Sequence, residues 1–196
     1  MSARRFDAWR IPAALILFSL LLLVTSAMRL AEIAGGPVPN ADNARFLVAP
    51  LAIYLHAGGG IVFLFLGAFQ FSPKIRARWP LWHRVSGRFA IVGGALSAAS
   101  SLYMTETFPQ VPANPPEIYG LRILFGVAWL SCLLLGIVAA MRRDIAAHRG
   151  WMMRAYAIAL GGSTTAIVLG SWLLVMGTAV TQSVCARHRR GLGDPT

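Results

Sequence analysis

Charge is the first thing this chain has little of. Only 13% of its 196 residues are charged, against 57% hydrophobic, whereas soluble chains are about a quarter charged. That composition excludes a disordered chain and an ordinary water-soluble enzyme. Carboxylates are scarcer still, with seven Asp and Glu in all. Each falls in an expected loop or tail, so no buried acid is available for the proton or sodium relay common in ion-coupled transport. The two cysteines, Cys132 and Cys185, make no spacing pattern and support neither a disulfide framework nor a Cys-rich metal site. There is no H-E-x-x-H, and the clusters Gly58-Gly59-Gly60 and Gly161-Gly162 lack the Lys-Ser/Thr partner of a phosphate loop.

What is present is long apolar runs. The charge-free stretches between Arg10 and Arg29, Arg45 and Lys74, Arg88 and Glu106, Arg122 and Arg142, and Arg154 and Arg187 are each long enough to cross a bilayer as helix. The expected fold is an all-α integral membrane bundle of five transmembrane helices in a single domain over residues 1–196. The spans expected are Ile11 to Met28, Pro50 to Phe71 with Pro73 closing it, Phe89 to Thr105, the run after Arg122, and Ala155 to Ala186. Thr25-Ser26-Ala27 is tolerable as a small-residue cleavage site, so a signal peptide is an alternative for the first span and would leave four. The last run would be about 48 Å long at about 1.5 Å per residue, so it must tilt, kink or protrude. Gly161, Gly162, Gly170 and Gly177 are the candidate kinks. In the third span, Gly93, Ser97 and Ser101, with Gly94 and Ala98, let another helix approach closely, a packing device before anything else.

The formal balance of +11 sits in short clusters between spans and not on a separate basic domain, so it reads as topology and no nucleic-acid partner is expected. Arg4, Arg5 and Arg10, then Lys74, Arg76, Arg78, Arg84 and Arg88, then Arg142, Arg143 and Arg149 occupy one side of the membrane. The stretches 31–47 and 104–118 carry Glu32, Asp42, Glu106 and Glu117 on the other. By the positive-inside rule the basic side and the N-terminus are cytoplasmic, in an inner (plasma) membrane. Five spans put the C-terminus outside, against the sense of Arg187, Arg189 and Arg190.

The histidines are the most informative polar set. His56 lies inside the second span, about 22 Å from Phe71 along the helix, and an ionisable side chain there is a functional candidate. The plainer reading is an imidazole bonded to a neighbouring helix across Gly58 to Gly60. Ser163, Thr164 and Thr165 lie at a similar depth, but with no oxyanion motif a Ser163–His56 protease is disfavoured. His83 and His148 open the third and fifth helices at the basic side and are the pair that could share one haem iron. Arg84, Arg88, Arg149 and Arg154 would then hold the propionates, and Trp82 and Trp151 would cover the ring. His-Arg with Trp at a helix start is also what headgroup anchoring produces. Gln70 ends the second helix within reach of the same region, either as part of it or as a polar cap.

The run L-G-A-F-Q-F, then I-R-A-R-W-P-L-W-H-R-V-S-G-R, and later H-R-G-W-M-M-R-A-Y-A resembles the bacterial multi-pass family catalogued as domain of unknown function 2306. The likeness covers roughly residues 50 to 175. It puts Gln70, Arg76, His83, Arg84, Gly87, Arg88, His148, Arg149, Trp151, Met152, Arg154, Tyr156 and Ala157 at signature positions. It implies a multi-pass membrane protein and no particular activity. Members often carry a further arginine after the second histidine motif, where this chain has the uncharged run around Ala166, and many continue into another helix.

The functional expectation is an anion- or cofactor-binding cluster at the cytoplasmic face made by Gln70, His83, Arg84, Arg88, His148, Arg149, Trp151 and Arg154. Its partners would be the bilayer and anionic headgroups. The alternatives are a haem b redox component, with His83 and His148 as ligands, and a structural or assembly subunit acting as a homo-oligomer or within a membrane complex.

Overall fold

The computed structural model describes residues 3–39, 43–108, 116–164, 167, 168 and 171. Every regular element among them is helical. Helix α1 runs Ala3–Ala34, α2 Pro50–Gln70, the short α3 Pro73–Arg78, α4 Pro80–Thr107 and α5 Pro116–Met141; α6 covers 145–164. Within these, Trp9–Ala34, Pro50–Gln70, Pro80–Thr107 and Glu117–Met141 are long and apolar enough to cross a membrane. The result is an all-α bundle with four such spans. The fifth expected span is described only as far as α6; Gly170, Gly177 and the basic tail lie outside the described residues.

Prolines set the helix starts. Pro50, Pro73, Pro80 and Pro116 each stand at a helix beginning, where the missing N–H costs nothing. Pro73 therefore does more than end the second span. It opens α3, whose N-terminus is capped by Ser72 Oγ accepting from the Ile75 N–H at 3.3 Å. The second span matches its expected bounds to one residue, whereas the other helices begin or end further out than the hydropathy runs alone suggest. The fourth element starts at Pro80, not Phe89, and α6 starts ten residues before Ala155 because Asp144 caps it, Oδ1 accepting from the Ala147 N–H at 2.9 Å. Glu32, Glu106 and Glu117 consequently sit in terminal helical turns and not in loops.

The core lies where α2, α4, α5 and α6 meet, around Phe63, Leu64, Ala68, Ala90, Ala98, Cys132, Leu133, Ala155 and Tyr156. Cys132 is buried there as a small packing residue. Outside it, Leu17, Phe89 and Leu124 are more than half exposed, the face a bundle offers to lipid tails. Helix α1 is the most peripheral: 11% of its apolar window is buried, against 39% for α2 and α4.

The closest approach is between α2 and α4. A Cβ on Gly93 would stand 2.8 Å from the Gly59 carbonyl oxygen, and one on Gly59 would run into the Gly93 carbonyl. Backbones that touch in this way exclude any side chain, which is the small-residue packing used where no hydrophobic effect joins helices. Ser97 and Ala98 are buried in the same seam. Beside it, α2 widens into a π turn over Tyr54–Gly58, and this turn carries His56.

Candidate functional site

Alternating helices bring α3, the starts of α4 and α6, and the end of α5 to one end of the bundle, the basic end. There Gln70 Nε2 donates to Ser86 Oγ at 2.9 Å, and Ser86 Oγ donates to the Trp82 carbonyl at 2.6 Å. Gly87 leaves room for this amide, since a side chain there would meet Gln70 Oε1 at 3.1 Å. Gln70 thus joins α2 to α4 and is more than an interfacial cap. Trp82 stacks edge-on against Phe69 at 5.6 Å.

His148 Nδ1 lies 2.8 Å from the Gly136 carbonyl oxygen. A carbonyl only accepts, so Nδ1 carries a hydrogen and Nε2 stands outside this bond. Met152 and Trp151 close over the same glycine. His83 is half-buried, with Nδ1 buried and without a hydrogen-bond partner among the described residues, and it lies close enough to His148 and Arg76 to interact with them electrostatically. Arg84, Arg88, Arg149 and Arg154 are exposed. The Arg154 guanidinium lies 4.8 Å from the Trp151 ring centre, a cation–π contact. The arginines make a surface and not an inward-facing pocket. Among the described residues no three His, Cys, Asp or Glu side chains gather as a metal group.

Much of the second sequence motif is packing. Ala155 and Tyr156 are buried, and the Tyr156 ring rests on Gly67. Glycines on α2 and α5 receive side chains from α6, so Gly67, Gly136, Met152 and Tyr156 form one fitted set.

At the opposite end, His56 Nδ1 is 3.0 Å from the Ser97 carbonyl, and Ser97 Oγ donates to the His56 carbonyl at 2.7 Å. The imidazole is therefore bonded to the neighbouring helix, as the plainer reading expects. Ser163 is fully buried with its Oγ unpartnered, and His56 Nδ1 is already committed to Ser97, so no Ser163–His56 couple exists. Thr165 lies outside the described residues.

Sequence reasoning passed over what lies beside His56. A cavity of about 460 Å³ opens between α1, α2, α4, α5 and α6, and Arg122 and Trp129 line it with His56 and Ser101. Trp129 is 9% exposed, and its indole N–H is buried without a partner. In the sequence Arg122 serves only as a boundary of the fourth run. Its signal was legible all the same: a lone arginine more than a turn inside a helix that begins at Pro116.

The fold and these sites define a polytopic helical membrane protein. Residues 53–187 match the family described as "Predicted membrane protein (DUF2306)", and the chain belongs to that family. No curated protein and no solved structure matches it.

Proposed function

We propose that the protein sits with its basic end in the cytoplasm and there engages an anionic group, a lipid headgroup or a small carboxylate or phosphate, through Arg84, Arg88, Arg149 and Arg154. One observation carries this reading: these guanidiniums are exposed at the end where α4 and α6 begin, and Arg84, Arg88 and Arg149 pair with no carboxylate among the described residues. Asp144, the acid nearest in sequence, is occupied at the N-terminus of α6. Each basic residue near an anionic surface contributes about 1 kcal/mol, and the planar guanidinium fork suits both carboxylate and phosphate. In this reading His83, His148 and Trp151 border the site, and Gln70 positions α4 from behind it.

The test compares thermal unfolding of the full chain in phosphatidylcholine nanodiscs with and without phosphatidylglycerol. Anionic lipid should raise the midpoint. Arg84→Gln with Arg149→Gln should remove most of that rise, and Arg76→Gln with Arg78→Gln should not. Equal small losses in both pairs would leave only the positive-inside pattern and no site.

A second reading, haem b between His83 and His148, is favoured by one contact. With Nδ1–H given to a carbonyl, His148 has the arrangement of a metal-ligating histidine, whose other nitrogen is free. A Soret band that shifts on dithionite reduction would establish it, and a colourless protein purified from haem-replete cells would remove it. A partner that co-purifies in fixed ratio, with neither lipid response nor colour, would point instead to an assembly subunit.

A further inference from the structure

The cavity at the end opposite the basic cluster is chemically unlike a packing defect. Dry packing voids are apolar, whereas this one has unmet donors. Arg122 lines it and pairs with no carboxylate among the described residues. The Trp129 N–H is buried and unpartnered, on the same helix about 10 Å deeper at about 1.5 Å per residue. His56 spends Nδ1 on the Ser97 carbonyl, which leaves Nε2 outside that bond. Most of the remaining lining is aliphatic or aromatic, with Leu22 and Phe125 among it. A charge at the level of Arg122 and an apolar body below it that reaches the Trp129 ring describe one kind of molecule.

From this we infer that the cavity binds a single-chain amphiphile with an anionic head, its carboxylate or phosphate on Arg122 beside His56 and its chain running past Trp129. The volume supports one chain and not two, because about 460 Å³ is toward the lower end of the roughly 300–1,000 Å³ of ligand pockets. Its position supports lipidic cargo, since Leu121 and Phe125, which line it beside Arg122, are about half exposed, so the cavity is open where these apolar side chains meet the surface. The site is independent of the basic end, so the two proposals fail separately.

The full chain in phosphatidylcholine nanodiscs is titrated with ω-bromododecanoate, ω-bromododecyl phosphate and ω-bromododecanol, and tryptophan quenching is read. The expected result is saturable quenching by at least one acid and only linear partition quenching by the alcohol. The saturable part should vanish in Trp129→Phe. Arg122→Gln should weaken binding at least about tenfold, the loss of one charge-assisted hydrogen bond, and Arg122→Lys should recover part of it. Preference for the carboxylate identifies a free amphiphilic acid, and preference for the phosphate identifies a monoacyl phospholipid. Saturation by the alcohol with the same affinity overturns the inference, as does unchanged acid binding in Arg122→Gln, which would leave Arg122 as a headgroup anchor. Should that variant not fold, Ser101→Leu fills the cavity without removing the charge; it should abolish saturable quenching, and unchanged quenching overturns the proposal.

Discussion

The Tyr156 hydroxyl donates to the Leu64 carbonyl at 2.8 Å, a bond that ties α6 to α2 across the middle of the core. The ring does as much as the hydroxyl. It lies against Gly67, where a Cβ would come within 2.7 Å of Cε2, and meets Phe71 and Phe63 at 4.9 and 5.6 Å. Tyr156→Phe keeps the ring and loses one interhelical bond, worth about 0.6 kcal/mol on average in membrane bundles. Gly67→Val must displace the ring and should cost about 1–3 kcal/mol, the usual range for overpacking. Thermal midpoints in one detergent decide between them, and a larger loss for Tyr156→Phe would make the hydroxyl the main tie.

The α2–α4 seam gives a position-by-position contrast among adjacent glycines. Gly59→Ala would drive a methyl into the Gly93 carbonyl, and backbone cannot yield as a side-chain end can. A loss of about 1–3 kcal/mol is expected. Gly58 is helical with nothing within 4 Å of its missing Cβ, so Gly58→Ala should be neutral or stabilise by up to about 1 kcal/mol through helix propensity. If both changes behaved alike in a denaturation series, the seam would not be a backbone contact.

Hydropathy made the bundle legible because membrane spans are a length-and-composition problem, and the small-residue spacing at Gly93, Ser97 and Ala98 announced the seam. Helix ends were less so. Capping depends on single residues such as Ser72 and Asp144, and hydropathy is blind to them. The residues of the proposed basic site stand out in the sequence as His-Arg pairs, but the exposure of Arg88 and Arg154 follows from helix rotation, which spacing leaves open when several faces are apolar. Arg122 was passed over although it stands alone at the edge of an apolar run, and Trp129 for a different reason: a cavity belongs to five helices at once, and no single segment carries its pattern.

Orientation is testable by fusion. Reporters placed after residues 80 and 146 should read cytoplasmic, because Arg76, Arg78, Arg142 and Arg143 flank those points and basic residues near span ends resist translocation. Fusions after residues 40 and 112 should read external. Glu32, Glu106 and Glu117 gather on that side, with Glu106 accepting from the Tyr119 hydroxyl at 2.7 Å. Arg122 stands at the same end, so the charge rule here rests on the excess at the basic end and not on its total absence opposite. External readings after both 80 and 146 would invert the bundle and move the basic cluster outside.

The α5–α6 turn makes the sharpest prediction about charge against geometry. Helix α5 closes with the Asp144 N–H on the Ala139 carbonyl at 2.9 Å and the Arg143 N–H on the Ala140 carbonyl at 3.0 Å, while Arg143 takes φ 61°. That is a left-handed closing residue followed at once by a helix cap. Asp144 then accepts from the Ala147 N–H at 2.9 Å, and the new helix brings His148 round to the Gly136 carbonyl. If Asp144 works as a cap, Asn serves nearly as well: Asp144→Ala should cost about 1 kcal/mol and Asp144→Asn a small part of that. If its role were to neutralise the neighbouring arginines, Asn would be as damaging as Ala, because it has lost the same charge. The two hypotheses also diverge in anionic nanodiscs. Removing a neutralising acid would strengthen the response to phosphatidylglycerol in both variants, whereas a cap leaves that response unchanged in Asp144→Asn.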